Sequence, residues 1–375
     1  MTALAVAFWA SVALIVHTHV TYPLTLAALV RLRLGREAAP TGAGRPSVSL
    51  IITAHNEGSV IERRVRNALS SDYPRELLEV IVASDGSDDR TADLARAAGA
   101  DVVLELTRRG KVEAQNAAVT EARGDILAFS DANSTWDPEA VSLLATALAD
   151  PDVGYVCGQL RLSGTEEENQ EGAYWRYEMA VRSLESRLGG VTAGNGAIYA
   201  VRRDSYVVMP SDRSHDLCLP YLTVKAGKRA IYEAAARAEE QAAPTLGGEW
   251  QRKRRMMNRA WGILLNDGIL SPSGYGATYA YEILSHRAIR YATPFLHLIA
   301  LGTNIALLGE GAIYAATLAA QGALLVGAAL ARVVPVLPFR IAAYYVTVTA
   351  SIAAGLYDRI RRGPATTWDP VEGTR

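Results

Sequence analysis

Cysteine is scarce: the 375 residues hold two, Cys157 and Cys218. They stand far apart, with no C-x-x-C spacing and no histidine companion, which excludes a disulfide framework or a zinc ribbon and leaves buried reduced thiols. A surplus of charge is lacking as well. The net charge is −1, whereas a nucleic-acid binder of this size carries a basic excess, so no nucleic-acid partner is expected. There is no G-x-x-x-x-G-K-[ST] loop, because Gly110-Lys111 lacks its glycine partner, and this argues against a P-loop NTPase. The first soluble strand runs into His55-Asn56-Glu57 instead of G-x-G-x-x-G, which disfavours a dehydrogenase. Internal repeats and low-complexity tracts are missing too.

Long apolar runs, by contrast, are present. Ala3 to Val30 is apolar apart from a few Thr and Ser, His17 and His19, and Arg31, Arg33 and Arg36 come directly after it. Such a run exceeds the roughly 20 residues a membrane-spanning helix needs, and the positive flank puts the adjoining domain on the cytoplasmic side. A cleaved signal peptide would carry its charge before a shorter run. An uncleaved anchor is therefore expected over residues 1–32, and Gly35 to Arg45, rich in Ala, Gly, Pro and charge, reads as a linker. Near the other end lie three apolar segments, Pro294 to Leu308, Ala312 to Leu330 and about Val333 to Leu356. Three spans after a cytoplasmic domain would leave the C-terminus outside, yet Arg359, Arg361 and Arg362 favour the inside. The first segment is short and holds His297 and Asn304, so the balance falls to an interfacial or re-entrant segment there. Two or three transmembrane helices are expected within 293–357, with a tail over 358–375.

Between these ends the pattern is that of an α/β domain. Val48-Ser49-Leu50-Ile51-Ile52 is too short for a helix and β-branched enough for a buried parallel strand, and it ends in Thr53-Ala54-His55-Asn56-Glu57. Leu78 to Ala83 runs into Ser84-Asp85-Gly86-Ser87-Asp88-Asp89, Asp101 to Leu106 leads to Arg109-Gly110-Lys111, and Ile126 to Phe129 leads to Ser130-Asp131-Ala132-Asn133. Helices are expected at Val60 to Leu69, Thr91 to Ala98 and Val112 to Arg123, and another from Asp137-Pro138-Glu139. A strand from Val153 to Leu162, a helix from Gln170 to Leu188, a glycine-rich loop to Gly196 and strands at Ala197 to Val201 and Ala230 to Tyr232 complete the domain. From Glu249 basic and aromatic residues mix with apolar ones, as in a helix at the membrane interface, and Tyr279 to Tyr291 has the same character.

Ligands of open α/β sheets bind beyond the carboxyl ends of the strands, so the four polar clusters should converge on one crevice. Asp85 and Asn56 can hydrogen-bond a base or ribose, Lys111 can neutralise a phosphate, and Asp131 with Asn133 offers two oxygen ligands from one tight turn. Oxygen donors suit Mg²⁺ or Mn²⁺, which often bridge carboxylate to phosphate. These residue types together describe a metal and diphosphate site. His55 reads as a turn residue that tolerates unusual backbone angles.

The sequence TAHNE, SDGSDD, RGKVEAQN, FSDANS, GNGAIYAVRR, SHDL and QRKRR, in this order and spacing, resembles the family 2 glycosyltransferases, in particular the membrane-embedded branch of cellulose, hyaluronan, chitin and poly-N-acetylglucosamine synthases. The resemblance covers about Pro46 to Trp261. It implies a GT-A (Rossmann-like) domain over 46–265, interfacial helices over 266–292, and inverting transfer of a sugar from a nucleotide sugar, a UDP-sugar foremost, to a lipid-linked or growing surface glycan. The protein would be integral to the plasma (inner) membrane, with its catalytic domain cytoplasmic. By the same resemblance, Ala54, Asn56, Glu57 and Asp85 would hold the nucleoside, Lys111 would lie near the base or diphosphate, and Asp131 and Asn133 would occupy the D-x-D positions that hold Mn²⁺ or Mg²⁺. Asp216 would be the general base. Gln251, Arg254 and Arg255 fall on Q-x-x-R-W, whose Arg meets the diphosphate, and Gly194 and Asn195 border the acceptor.

Three positions depart from the family pattern. Asn133 replaces the second aspartate of D-x-D, His215 replaces the acid before the base, and Arg255 replaces the tryptophan that stacks on acceptor sugar in processive synthases. They keep in view a homologue that binds nucleotide sugar without turning it over, and the apolar spans keep in view a second reading, a scaffold or export subunit whose spans form a path for a polysaccharide made elsewhere.

Overall fold

A computed structural model describes residues 2–32, 45–163, 168–241, 246–331, 333–334 and 336–365. All of the expected linker except Arg45, and the tail beyond Ala365, lie outside the described residues. The chain opens with α1 (Ala3–Val16) and α2 (Tyr22–Arg31), joined by the π-helical stretch His17–Thr21 into one rod.

β1 (Val48–Ala54) is buried along its whole length, with Leu50 and Ile52 facing one core and Ile51 the other. A strand covered by helices on both faces has no polar side, hence its unbroken apolar run. α3 (Ile61–Leu69) leads to β2 (Leu78–Asp85), α4 (Thr91–Ala97) to β3 (Val102–Leu106), and α5 (Lys111–Glu121) to β4 (Ile126–Asp131). These four strands pair in parallel in the order β3-β2-β1-β4. The chain leaves β1 towards β2 and returns on the other side at β4, so a topological switch point lies between the carboxyl ends of β1 and β4. Open α/β sheets bind ligands at such a point.

β5 (Thr135–Trp136), α6 (Ala140–Ala147), β6 (Val153–Ser163), α7 (Glu168–Arg187), β7 (Ile198–Arg202), α8 (His215–Lys225) and β8 (Arg229–Gln241) come next. β7 runs antiparallel to β4, and the whole sheet reads β3-β2-β1-β4-β7-β6-β8-β5. β8 is far longer than the Ala230 to Tyr232 strand expected from sequence. It pairs with β6 out to Ser163 opposite Gln241, through a register shift at Gly158/Gln159, and its far half also takes β5, with Thr135 opposite Glu239. Ala and Glu in this half favour helix, but strand partners on both sides override that preference. Gly158 permits the approach, because a Cβ there would stand 2.4 Å from the Ala236 carbonyl oxygen.

α9 (Leu246–Asn266), α10 (Ala277–Ile283), α11 (Arg290–Ala306), α12 (Ala312–Leu330) and α13 (Leu337–Arg362) complete the chain. Among the described residues three helices are long and apolar enough to cross a membrane: Ala3–Arg31, Ala312–Leu330 and Leu337–Arg362. The segment Pro294 to Leu308 falls largely in α11, which continues α10 through the π-helical Leu284–Ile289. Its polar residues find partners on neighbouring helices: His297 with the Tyr345 hydroxyl at 2.7 Å and Asn304 with the Thr317 hydroxyl at 3.0 Å. The C-terminal half of α13 packs on α9. There Trp261 Nε1 donates to the Ile352 carbonyl at 2.8 Å, and a Cβ at Gly355 would stand 2.5 Å from that of Met257. Domain and helices also share a buried polar cluster, in which Glu185 accepts from the Tyr22 hydroxyl at 2.6 Å and lies 2.6 Å from His286 Nδ1.

Candidate active site

The turn after β1 is built to hold the loop after β2. Ala54 ends the strand with its side chain in the core, and Asn56 takes a left-handed φ of 54°. The Asn56 amide oxygen accepts from the Asp88 backbone N–H at 3.0 Å, and its own N–H donates to Ser87 Oγ at 3.1 Å. The buried Glu57 has its backbone N–H on Thr91 Oγ1 at 2.8 Å. His55 keeps ordinary backbone angles and places Nδ1 2.8 Å from the Asp85 carbonyl, so the unusual conformation belongs to its neighbour. The Asp85 carboxylate, buried at the end of β2, accepts from the backbone N–H of Arg109 at 2.8 Å and of Gly110 at 2.9 Å. It thus shapes the loop that opens α5. A cavity of about 300 Å³ lies beside it, bordered by Leu106, Thr107, Arg109 and Asn116.

Lys111 is the first residue of α5, and its ammonium pairs with Asp131 Oδ1 at the end of β4. Asn133 comes next in the turn, and Ser134 Oγ donates to Glu240 Oε1 at the far end of β8. Glu240 is partly buried. Burial first, then the charge of Asp131, pushes its carboxyl up to about 7, against the pull of Ser134, Lys111 and Arg252. Among the described residues no three His, Cys, Asp or Glu side chains gather into a metal cage. The donors present are all oxygens, however, and Mg²⁺ commonly takes only one or two carboxylates and completes its shell with substrate phosphate and water. Space is kept for such a shell at Gly196, where a Cβ would stand 3.3 Å from Lys111 Nζ and 4.0 Å from Asp131 Oδ2. Asp131 and Asn133 therefore fit a hard divalent cation.

Asp216 is half-buried in the first turn of α8, and its carbonyl accepts from the Gly194 N–H at 2.7 Å. A Cβ at Gly194 would stand 1.9 Å from the Tyr155 hydroxyl, so the glycine is a steric requirement of this loop. Asn195 is spent on loop geometry: Oδ1 accepts from the N–H of Ala197 and Ile198 at 3.2 and 2.9 Å, and Nδ2 donates to the Gly158 carbonyl at 2.8 Å. His215 is packed among Phe129, Tyr199 and Tyr206, with Nδ1 2.8 Å from the Tyr199 hydroxyl. Burial, with Lys111 adding to it, lowers its pKa to about 3, so it is neutral at working pH. Tyr199 is buried beside His215, and the charges of both Asp216 and Asp131 add to burial in raising its pKa.

On α9, residues three and four apart share a face, which sets Arg252, Arg255 and Arg259 in one row. Arg252 acts on Glu240. Burial lowers the Arg259 pKa, Arg255 adds to that, and Asp216 and Asp212 oppose it, while Arg259 Nε donates to the Ala365 carbonyl at 2.8 Å. Arg254 points elsewhere, to α13, where Nη2 lies 2.6 Å from Asp358 Oδ1. Gln251, Arg254, Arg255 and Asn258 line a second cavity, of about 430 Å³, closed by Arg362 to Ala365. Sequence reading missed Glu240 and Arg252: the first sits on a strand half that looks helical, and the second is one of four neighbouring basic residues.

Residues 49–207 match the family model described as Glycosyl transferase family 2. An N-acetylglucosaminyltransferase of Rhizobium meliloti (strain 1021) is 28% identical over 283 residues, covering 69% of this chain and 62% of that protein. A probable glycosyltransferase, YdaM, of Bacillus subtilis (strain 168) is 33% identical over 126 residues, 31% of this chain and 30% of that one. This chain thus spans less than two thirds of the length of these curated relatives. Among solved structures, the mannosyltransferase PcManGT from Pyrobaculum calidifontis, in complex with GDP-Man and Mn²⁺, superposes with a TM-score of 0.73 at 24% identity, covering 95% of this chain and 99% of that one. The likeness shows the fold, and it is the GT-A architecture with flanking helices that the motifs imply.

Proposed function

We propose that this chain, whose residues 49–207 match the family 2 glycosyltransferase model, moves a sugar, with inversion, from a nucleoside diphosphate donor to a hydroxyl of a lipid-linked or growing surface glycan. A UDP-sugar is the donor in this reading. The observation that carries it is the set of polar groups around the switch point: Asp85 and its cavity at the end of β2, the Lys111–Asp131 pair at the end of β4, and Asp216, which acts with Asp131 on the buried Tyr199.

The nucleoside lies against the loops held by Asn56 and Asp85. The diphosphate faces Lys111 and Arg252; Arg254 would have to leave Asp358 to join them. Asp216 accepts the proton of the acceptor hydroxyl as that oxygen bonds to the anomeric carbon and the bond from this carbon to the phosphate oxygen breaks. Negative charge gathers on the leaving diphosphate, so groups aimed at it stabilise the transition state more than the ground state. A divalent cation, Mn²⁺ or Mg²⁺, held by Asp131 and Asn133 would supply further charge to the same phosphates. His215 is neutral and hydrogen-bonded to a tyrosine, so it adds no second charge beside Asp216.

The three candidate spans support a membrane protein, and Arg31 after the first supports a cytoplasmic catalytic domain at the plasma membrane. The interfacial character of α9 and its packing on α13 support an acceptor presented at the membrane surface. The test is a donor panel on detergent-purified protein with Mn²⁺ or Mg²⁺, following free nucleoside diphosphate with and without a lipid extract. The relatives' names make N-acetylglucosamine the first sugar to try in that panel, here as its UDP donor, and the structural neighbour's GDP-Man comes second. Release with one donor, raised by lipid, is the expected result. Nucleotide binding without release for any donor would favour a homologue that has lost catalysis.

A further inference from the structure

A D-x-D turn gives a cation two carboxylates, and here the second position is the neutral Asn133. The sheet brings another carboxylate to the same turn from a strand more than a hundred residues further along the chain. β5 and β8 pair antiparallel with Trp136 opposite Ala238 and Thr135 opposite Glu239. The next step of that register sets Ser134 across from Glu240, and the hydrogen bond from Ser134 Oγ to Glu240 Oε1 fixes the carboxylate on the turn that carries Asn133. The turn is closed on Asp131, whose carbonyl accepts from the Ser134 N–H at 3.4 Å. We propose that Glu240 supplies the second carboxylate of the cation site begun by Asp131, in the role that Asn133 leaves neutral. The inference rests on the reading of Asp131 as a cation ligand.

Physical chemistry gives a reason for a carboxylate in this place. A partly buried acid beside another acid is costly unless a cation offsets both charges. Lys111 offsets one of them by pairing with Asp131, and Arg252 approaches from α9. Asp131, Glu240 and the Asn133 amide oxygen together make three hard oxygen donors, enough to hold Mg²⁺ or Mn²⁺ while leaving positions for phosphate oxygens. Gly196 keeps the neighbouring space open beside Lys111 Nζ and Asp131 Oδ2. Lys111 and Arg252, which both act on Glu240, would add positive charge for a diphosphate bound beside the cation.

Mn²⁺ binding to the full-length protein in detergent, followed by the electron paramagnetic resonance of free Mn²⁺ with and without UDP, tests the assignment without any turnover. Glu240→Gln should weaken Mn²⁺ binding by about 10-fold or more, the range seen when a metal site loses a supporting group. Adding Asn133→Asp to Glu240→Gln should restore the affinity, since a carboxylate returns from the other side of the turn. Glu240→Asp keeps the charge on a shorter arm and should fall between wild type and Glu240→Gln; it serves if the glutamine variant does not fold. Asp131→Asn is the control. If it loses Mn²⁺ while Glu240→Gln keeps wild-type affinity, Glu240 is only a staple for Ser134 and the proposal is wrong. If Asp131→Asn also binds Mn²⁺ normally, the cation reading of the whole turn fails, and this assignment fails with it.

Discussion

His215 shows how one residue can lose its charge to its surroundings. It stands where an acid precedes the base in the family pattern, yet its ring is enclosed by three aromatic side chains and its pKa is lowered to about 3. The unfolded chain takes up a proton near pH 6.5 and the folded chain does not, so stability from this residue is complete above that value and falls as the pH drops towards 3. Thermal unfolding between pH 7 and 5 should show stability falling by up to about 1.4 kcal/mol per pH unit, and His215→Gln should flatten that slope. Two neighbouring arginines should behave differently in kinetics. Arg252→Ala should lower kcat/KM about 100-fold, as loss of a group aimed at developing charge does, whereas Arg254→Ala should act mainly through loss of its Asp358 pair, seen as a lower melting temperature.

The positions of the candidate site residues could be read from the chain, because polar residues begin where apolar strands stop: Asp85 and Asp131 end strands and Lys111 opens a helix. Which arginine of the basic run looks inward could not be read, since that depends on the rotation of α9 about its axis. A single residue of rotation moves a side chain by about 100° around a helix of 3.6 residues per turn.

At the scale of elements, the parallel strands were legible for a physical reason. Buried on both faces, they carry β-branched and other apolar residues in unbroken runs, and a helix of five to eight residues with one exposed face would not do so. The far half of β8 was not legible, because Ala-Ala-Ala-Arg-Ala-Glu-Glu has no apolar alternation and the pairing with β5 and β6 that extends it is long-range. Its path depends on the close approach at Gly158. Gly158→Ala forces a methyl to within 2.4 Å of the Ala236 carbonyl, and the strain should cost about 1–3 kcal/mol, measurable as a lower melting temperature. The displaced strand carries Glu240, so the same variant should also weaken Mn²⁺ binding.

For the molecule as a whole, one contact between the α/β domain and the helices around it is a cluster of buried charge. Glu185 is fully buried on α7; burial opposes its ionisation, but His286 and Arg287 hold its pKa below the usual value. Glu178 is likewise held well below the carboxylate range against burial, chiefly by Arg290. Removing one member strands its partners without compensation, so Glu185→Ala should destabilise the protein by about 3–5 kcal/mol, read as loss of folded protein in detergent. The sequence offered no sign of this cluster. Its members, Tyr22 included, come from three separate stretches, and each alone is an ordinary polar residue on a helix.

The central claim is that Asp216 takes the acceptor proton in a crevice that binds nucleotide sugar independently of it. Asp216→Asn, compared with wild type for donor affinity by calorimetry and for release of nucleoside diphosphate with Mn²⁺ or Mg²⁺ and lipid acceptor, tests it most directly. The account predicts donor binding close to wild type and release slower by about 100-fold or more, the contribution of a positioned general base. Wild-type release by the Asp216→Asn protein would contradict it.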